Sequence, residues 1–74
     1  MHIVTRTVEM EPGHSEQLAC TQDVCDTLGV VVTPTLIVNK LGVQPDFRRK
    51  SAYYWTPGNV ELIRTKLVDH LQSI

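Results

Sequence analysis

The alternation of hydrophobic and polar residues near the start of this 74-residue chain predicts a β-strand. The segment Ile3–Met10 reads IVTRTVEM, in which β-branched residues are frequent and side-chain character changes at nearly every second position. Such residues fit a pleated surface that is buried on one side. Pro12 and Gly13 follow closely, and we expect them to end the strand.

A helical pattern follows over His14–Leu28, where apolar residues recur at steps of three and four. Ser15 is the expected N-cap of this helix, and Gly29 is a typical residue to end it. An alternative is a shorter helix capped by Thr21, with a break in the chain near Cys20.

The most hydrophobic stretch of the chain, Val30–Val38, predicts a strand that is covered on both faces. Pro34 conflicts with a place inside a sheet, because proline has no N–H group to donate to a neighbouring strand. We therefore expect the strand to span Thr35–Asn39, with Pro34 at its entrance and a special peptide bond between Thr33 and Pro34.

The last third of the chain predicts a strand and a second helix. The charged and aromatic segment Asp46–Trp55 predicts an edge strand antiparallel to Thr35–Asn39, since charges on an edge discourage further pairing. Thr56 followed by Pro57 is a strong helix start. One helical stripe of apolar residues follows: Val60, Ile63, Leu67, Leu71 and Ile74. The predicted order is β-α-β-β-α, a single α/β domain over residues 1–74 with a small mixed three-stranded sheet and two helices.

The segment Asp23–Val38, DVCDTLGVVVTPTLIV, resembles the second half of thioredoxin-like proteins. There a short helix, a cis-proline and a buried strand precede a hairpin and a final helix. The resemblance implies a truncated thioredoxin-like fold in which the bond between Thr33 and Pro34 is cis. Thioredoxin chemistry needs a Cys-x-x-Cys pair at a helix N-terminus, which lowers the thiol pKa. Because the sequence has no such pair, the resemblance implies the architecture without the dithiol activity.

A second resemblance is to the KaiB circadian-clock family, which has a thioredoxin-like arrangement without redox cysteines. The shared residues are VTPTL at Val32–Leu36 and the pattern P-x-x-R-R at Pro45–Arg49. The spacing between these motifs is longer here, and the first strand–helix unit is absent. The resemblance therefore implies only a class of activity, protein interaction.

Composition narrows the classes of function. The formal net charge is −1, whereas a general nucleic-acid binder usually carries a strong basic excess. No apolar run is long enough to span a membrane and no leader segment follows Met1, so we expect no membrane partner and a cytoplasmic location. Two cysteines are too few for a disulfide-stapled secreted domain. We expect no cofactor.

Cys20 and Cys25 are the candidate reactive thiols. On one continuous helix they lie about 140° apart around the axis and about 7.5 Å apart along it, which is too far for an unstrained disulfide. A disulfide needs a break in the helix, and the alternative is a buried Cys25 beside a partly exposed Cys20. The three histidines show no zinc-ligand spacing, so we predict no metal site and no catalytic residues.

A basic and aromatic cluster is the most distinctive chemical feature of the chain. The predicted interaction surface consists of Phe47, Arg48, Arg49, Lys50, Tyr53, Tyr54 and Trp55. Such side chains together can bind an acidic partner, a phosphate group or a nucleic-acid strand. The alternative is an edge strand protected by charge, with its tyrosines and tryptophan sealing the core.

The sequence thus predicts a non-catalytic protein-interaction module that forms a homodimer or binds an obligate protein partner. The reason is that an incomplete sheet leaves apolar faces, which small domains bury by association. Two alternatives remain open. One is a thiol-based redox protein or sensor that uses Cys20 or Cys25, and the other is weak binding of an acidic ligand or nucleic acid at Arg48–Lys50.

Overall fold

The structure is a computed structural model and is described for residues 2–73. Within this range the chain forms four strands, two α-helices and one π-helical segment. In chain order they are β1 (Arg6–Glu11), β2 (His14–Cys20), α1 (Thr21–Leu28), the π-helical segment (Leu36–Lys40), β3 (Phe47–Arg49), β4 (Ala52–Trp55) and α2 (Pro57–Gln72).

The strands form one antiparallel sheet in the order β1-β2-β4-β3. The predicted α/β class with two helices is confirmed, and the sheet of the described chain has four strands where three were expected. β2 pairs with β4 only through Ala19 opposite Trp55 and Cys20 opposite Tyr54. The hairpin of β1 and β2 is therefore joined to the rest of the sheet by only two residue pairs, and the molecule is elongated, 45 × 24 × 17 Å.

The segment His14–Cys20 is a strand, not the first half of a helix. Gly13 has a positive φ of 83°, which turns the chain back so that this segment lies against β1. Cross-strand contacts then replace helical ones: the Gln17 amide donates to the Thr7 hydroxyl at 2.6 Å. Ser15 lies inside β2 and caps no helix.

Helix α1 begins at Thr21 and has Cys20 as its N-cap residue. This agrees with the alternative prediction of a shorter helix after a break near Cys20, although the cap is Cys20 and not Thr21. The Asp23 carboxylate accepts a hydrogen bond from the Cys20 backbone N–H at 3.1 Å, which satisfies one of the unpaired donors at this end. Gly29 ends the helix as predicted, with a left-handed φ of 73°.

The predicted buried strand over Thr35–Asn39 is wrong, because this part of the chain is helical. Pro34 and Thr35 lie in a helical turn that continues into the π-helical segment, and residues 2–73 contain no cis peptide bond. The predicted cis bond between Thr33 and Pro34 is therefore wrong too. The Thr33 hydroxyl accepts from the Leu36 N–H at 3.1 Å, and the Thr33 carbonyl accepts from the Ile37 N–H at 3.0 Å. Threonine followed by proline starts a helix here, as it does at α2.

Helix α2 begins as predicted: the Thr56 hydroxyl accepts from the Asn59 N–H at 3.4 Å, and Pro57 is the first helical residue. Val60 and Ile63 are fully buried, and Leu67 packs against the core. Leu71 is 60% exposed, so the predicted stripe leaves the core at the last turn, and Ile74 lies outside the described residues.

The main hydrophobic core lies on one face of the sheet. It combines residues of β2, α1, the 32–43 connection, β4 and α2: Ala19, Val24, Val32, Ile37, Leu41, Val43, Trp55, Val60 and Ile63. The apolar run Val30–Val38 thus contributes to the core as expected, but through Val32 and Ile37 on a loop and a π-helical turn.

Candidate functional site: the open face of the sheet

The hairpin of β3 and β4 carries most of the predicted interaction surface. A two-residue turn joins the strands, and Lys50 in this turn has a positive φ of 56°. β3 is an edge strand of the sheet and carries charged residues, as expected. The predicted single strand antiparallel to Thr35–Asn39 is wrong, because Asp46–Trp55 contains both strands of a hairpin that pair with each other. Arg48, Arg49 and Lys50 are all exposed.

Alternation along the two strands divides the predicted surface between the two faces of the sheet. Opposite pairs in the register share a face, so Phe47 lies with Tyr54, and Arg48 lies with Tyr53. Tyr53 and Trp55 point to the side that carries the main core, where their rings meet edge to face at 6.2 Å. The predicted surface is therefore two surfaces, and no single flat partner can contact all of it.

We call the face opposite the main core the open face. The registers place these residues on it: Arg6, Val8, Glu16, Leu18 and Cys20 from the β1–β2 hairpin, and Phe47, Arg49 and Tyr54 from the β3–β4 hairpin. Phe47 and Tyr54 are half-buried, with ring centroids 5.9 Å apart.

Arg49 connects the two hairpins across the open face. Its guanidinium lies 5.2 Å from the centre of the Phe47 ring, and one of its N–H groups donates to the backbone carbonyl of Glu9 in β1. β1 and β3 are the two outer strands of the sheet, so this contact means that the sheet curves toward its open face.

Val8 and Leu18 form the apolar part of the open face. They are 5% and 1% exposed, yet they stand apart from the main core. The alternation of β1 and β2 would have placed them together only if both segments had been recognised as strands. Because His14–Cys20 was predicted as part of a helix, the pairing of Val8 with Leu18 on one face was not predicted. The residues between Gly13 and Leu18 are all polar and do not show the alternation that indicates a strand.

Trp55 does not belong to any interaction surface, because it is fully buried. Its indole N–H donates to the Val43 carbonyl at 3.3 Å, so its one polar group is satisfied inside the protein. This residue was predicted as part of the contact surface, and the alternative that it seals the core describes it correctly.

A cleft of about 270 Å³ lies beside β3 on the core side of the sheet. It is lined by Val38, Gln44, Pro45, Arg48 and Tyr53. The Arg48 guanidinium lies 4.8 Å from the centre of the Tyr53 ring, which holds it along one wall. The 38–45 connection supplies the other wall, and the sequence could not place this connection because it was assigned to a strand and a short turn.

A charged pair fastens the β1–β2 hairpin to α1. Asp23 is 3% exposed and accepts two hydrogen bonds from Arg6, from Nε at 2.8 Å and from Nη2 at 2.9 Å. These bonds hold the pKa of Asp23 below its usual value, against the effect of burial, and raise the pKa of Arg6. Sequence spacing gave no sign of this pair, since seventeen positions separate the two residues.

Cys20 and Cys25 are both free thiols of intermediate exposure. The Cys25 sulfur faces the backbone of Val32, 3.3 Å from its carbonyl oxygen and 3.4 Å from its nitrogen. Cys25 thus connects α1 to the following loop, while Cys20 lies at the start of α1 on the open face. The structure does not test whether either thiol reacts, so the alternative of a thiol-based redox protein or sensor stays a hypothesis.

Residues 2–73 contain no group of three or more His, Cys, Asp or Glu side chains placed to hold a metal ion. None of the helices in the same range combines the length and the hydropathy that a membrane crossing needs.

No protein-family model, curated protein or solved structure matches this chain. The resemblances to thioredoxin-like proteins and to the KaiB family therefore stay predictions. The segment that carried them, Val30–Val38, does not form the strand that they imply.

Proposed function

We propose that this protein is a non-catalytic protein-interaction module that self-associates through the open face. One observation carries the proposal: Val24 of α1 and Val60 and Ile63 of α2 are buried in the main core on the other face of the sheet, while the rings of Phe47 and Tyr54 stay partly exposed on this one. Aromatic residues and arginine are the side chains most enriched in the energetically important part of protein interfaces. A cytoplasmic location is part of the proposal, because a reducing compartment preserves the two free thiols.

A second copy of the chain suits this face because the face carries both signs of charge. Arg49 lies on the β3–β4 hairpin and Glu16 on the β1–β2 hairpin. A two-fold axis through the face brings each arginine toward the partner's glutamate, and the aromatic rings pack between them. Sheets stacked in this way bury their facing side chains over a layer about 10 Å thick.

The size of the open face sets the expected strength of the interaction. The accessible part of this face is small, because Val8 and Leu18 are nearly inaccessible and Phe47 and Tyr54 are only partly exposed. A stable interface covers about 800 Å² on each partner. We therefore expect reversible self-association with a dissociation constant in the upper micromolar range.

Sedimentation equilibrium between about 20 μM and about 2 mM protein tests the proposal, because this range spans association of a small interface. The apparent mass should rise from the 8.3 kDa of one chain toward twice that value. Phe47→Glu removes the ring that packs against Tyr54 and Arg49 on the open face and should weaken association at least about tenfold. Leu62→Glu is the matched control, because Leu62 is an exposed apolar residue of α2, away from the sheet.

Two results would contradict the proposal. The first is a mass that stays at that of one chain at every concentration. The second is an equal effect of Phe47→Glu and Leu62→Glu on association when circular dichroism shows that both variants are folded.

A further inference from the structure

The cleft beside β3 has the shape and chemistry of a site for a carboxylate group. We propose that it binds an acidic side chain presented by an extended segment of a different protein, laid along the free edge of β3. This site is separate from the open face, because Arg48 and Tyr53 project from the opposite face of the sheet. The proposal therefore stands whether or not the protein self-associates.

The cleft is lined by both apolar and polar groups. Val38, Pro45 and the ring of Tyr53 supply the apolar lining, and the Gln44 amide and the Arg48 guanidinium supply hydrogen-bond donors. Its volume of about 270 Å³ is sufficient for one acidic side chain. Hydrogen-bond donors beside apolar side chains can orient a small charged group.

Arg48 is prepared to bind a carboxylate. Its guanidinium lies over the Tyr53 ring, 4.8 Å from the ring centre, and within residues 2–73 it donates no hydrogen bond and joins no ion pair. Arg6 and Arg49, in contrast, both donate to acceptors of this chain. A planar guanidinium whose N–H groups have no partner binds a carboxylate by donating two parallel hydrogen bonds to it.

The nearest carboxylate in the sequence, Asp46, is already engaged. It accepts from the Thr56 N–H and from the Asn59 amide, both at 2.8 Å, and so supports the start of α2. It therefore does not compete for Arg48.

The edge of β3 selects for an acidic segment. β3 has one neighbour in the described sheet, β4, so its other edge is open to another strand. Three consecutive basic residues, Arg48–Lys50, would repel the same edge of a second copy, because like charges directly opposite each other destabilise a strand pair. An acidic residue opposite Arg48 shares its face and lies next to the cleft.

Nuclear magnetic resonance titration of the full chain with a short peptide tests this inference. The probe is acetyl-Thr-Val-Glu-Val-Thr-amide, and its counterpart carries Gln in place of Glu. We expect the Glu peptide to shift the backbone signals of Arg48 and Tyr53 and to bind about tenfold more tightly than the Gln peptide, the usual effect of a charge-assisted bidentate pair.

Variants of the chain separate the role of Arg48 from general charge. Arg48→Gln should weaken binding of the Glu peptide about tenfold. Arg64→Gln is the matched control, because Arg64 is an exposed arginine on α2 and its loss should leave binding unchanged. Gln44→Leu is a second variant, which removes the side-chain amide donor of the cleft. The dispersion of the backbone amide signals shows directly whether each variant is folded.

Three outcomes would overturn the inference. One is equal binding of the Glu and Gln peptides, and another is equal loss of binding in Arg48→Gln and Arg64→Gln. The third is that sodium acetate or inorganic phosphate, at the peptide concentration, produces the same shifts as the peptide, which would leave an anion site without strand docking. Peptide binding is read from the signals of Arg48 and Tyr53, and self-association is read from sedimentation, so failure here and failure of self-association are distinguishable.

Discussion

Removal of the Arg6–Asp23 pair should destabilise the fold measurably, because this pair holds the β1–β2 hairpin against α1. Asp23 accepts two hydrogen bonds from Arg6 and one from the Cys20 N–H, and it is nearly inaccessible to water. Asp23→Ala removes all three bonds, whereas Arg6→Gln removes two and leaves a buried carboxylate with one donor.

The exposure of Arg6 sets the magnitude. Hydrogen bonds to charged groups contribute about 1.5–3 kcal/mol when buried, and exposed ion pairs about 0–1 kcal/mol. Because the Arg6 side chain is 54% exposed, we expect the pair to contribute about 1–2 kcal/mol. Loss of the helix cap adds about 1 kcal/mol in Asp23→Ala. The total cost should be about 2–3 kcal/mol for Asp23→Ala and at least as large for Arg6→Gln, because the latter leaves a buried carboxylate short of hydrogen-bond donors.

Urea denaturation followed by circular dichroism measures these values, and the double variant completes a cycle that isolates the coupling between the two residues. We expect a coupling free energy of about 1 kcal/mol. Values below about 0.5 kcal/mol for both single variants, with no coupling, would show that the contact does not hold the hairpin to α1.

The same pair gives the stability a defined dependence on pH. Folding lowers the pKa of Asp23 below its ordinary value of 3.8, chiefly through the hydrogen bonds from Arg6. The contribution of Asp23 is therefore fully present above that pH and is lost as the pH falls through the pKa of the folded state. Asp23→Asn should reduce the slope of unfolding free energy against pH in this acid range and leave the slope near pH 7 unchanged.

Two further predictions concern the core and the helix starts. Trp55→Leu should cost about 3 kcal/mol in urea unfolding, because it leaves a cavity and an unpaired Val43 carbonyl, and a cost below about 1 kcal/mol would contradict the buried position. Thr33→Ala and Thr56→Ala should each cost about 1 kcal/mol, since both threonines accept a hydrogen bond from a helix N-terminal N–H. No effect of Thr33→Ala would contradict a helical turn at Pro34.

Local signals explain which parts of the fold were predictable. Thr56 followed by Pro57 favours the start of a helix. The apolar periodicity that follows in the same segment supports the assignment of α2. Thr33 and Pro34 carry the same signal, but the apolar run around them is also typical of a buried strand. Strand propensity and capping chemistry conflict there, and the capping chemistry decides because the loop before the turn still buries Val32 and the π-helical segment still buries Ile37.

The candidate site was predictable in composition but not in geometry. The basic and aromatic residues of the β3–β4 hairpin were identified from the sequence, and alternation along the strand places Phe47 and Arg48 on opposite faces. Contacts between distant segments were not predictable. The bond from Arg49 to Glu9 and the cleft wall at Val38 both depend on how the sheet curves and on where the 38–45 connection runs.

The most direct test of the central claim is an intermolecular nuclear Overhauser measurement on concentrated protein in which half of the chains are isotopically labelled. Self-association through the open face predicts contacts between chains that involve the ring protons of Phe47 and Tyr54. Contacts between chains that arise only from residues outside this face, such as Leu62 and Leu71 of α2, would contradict it.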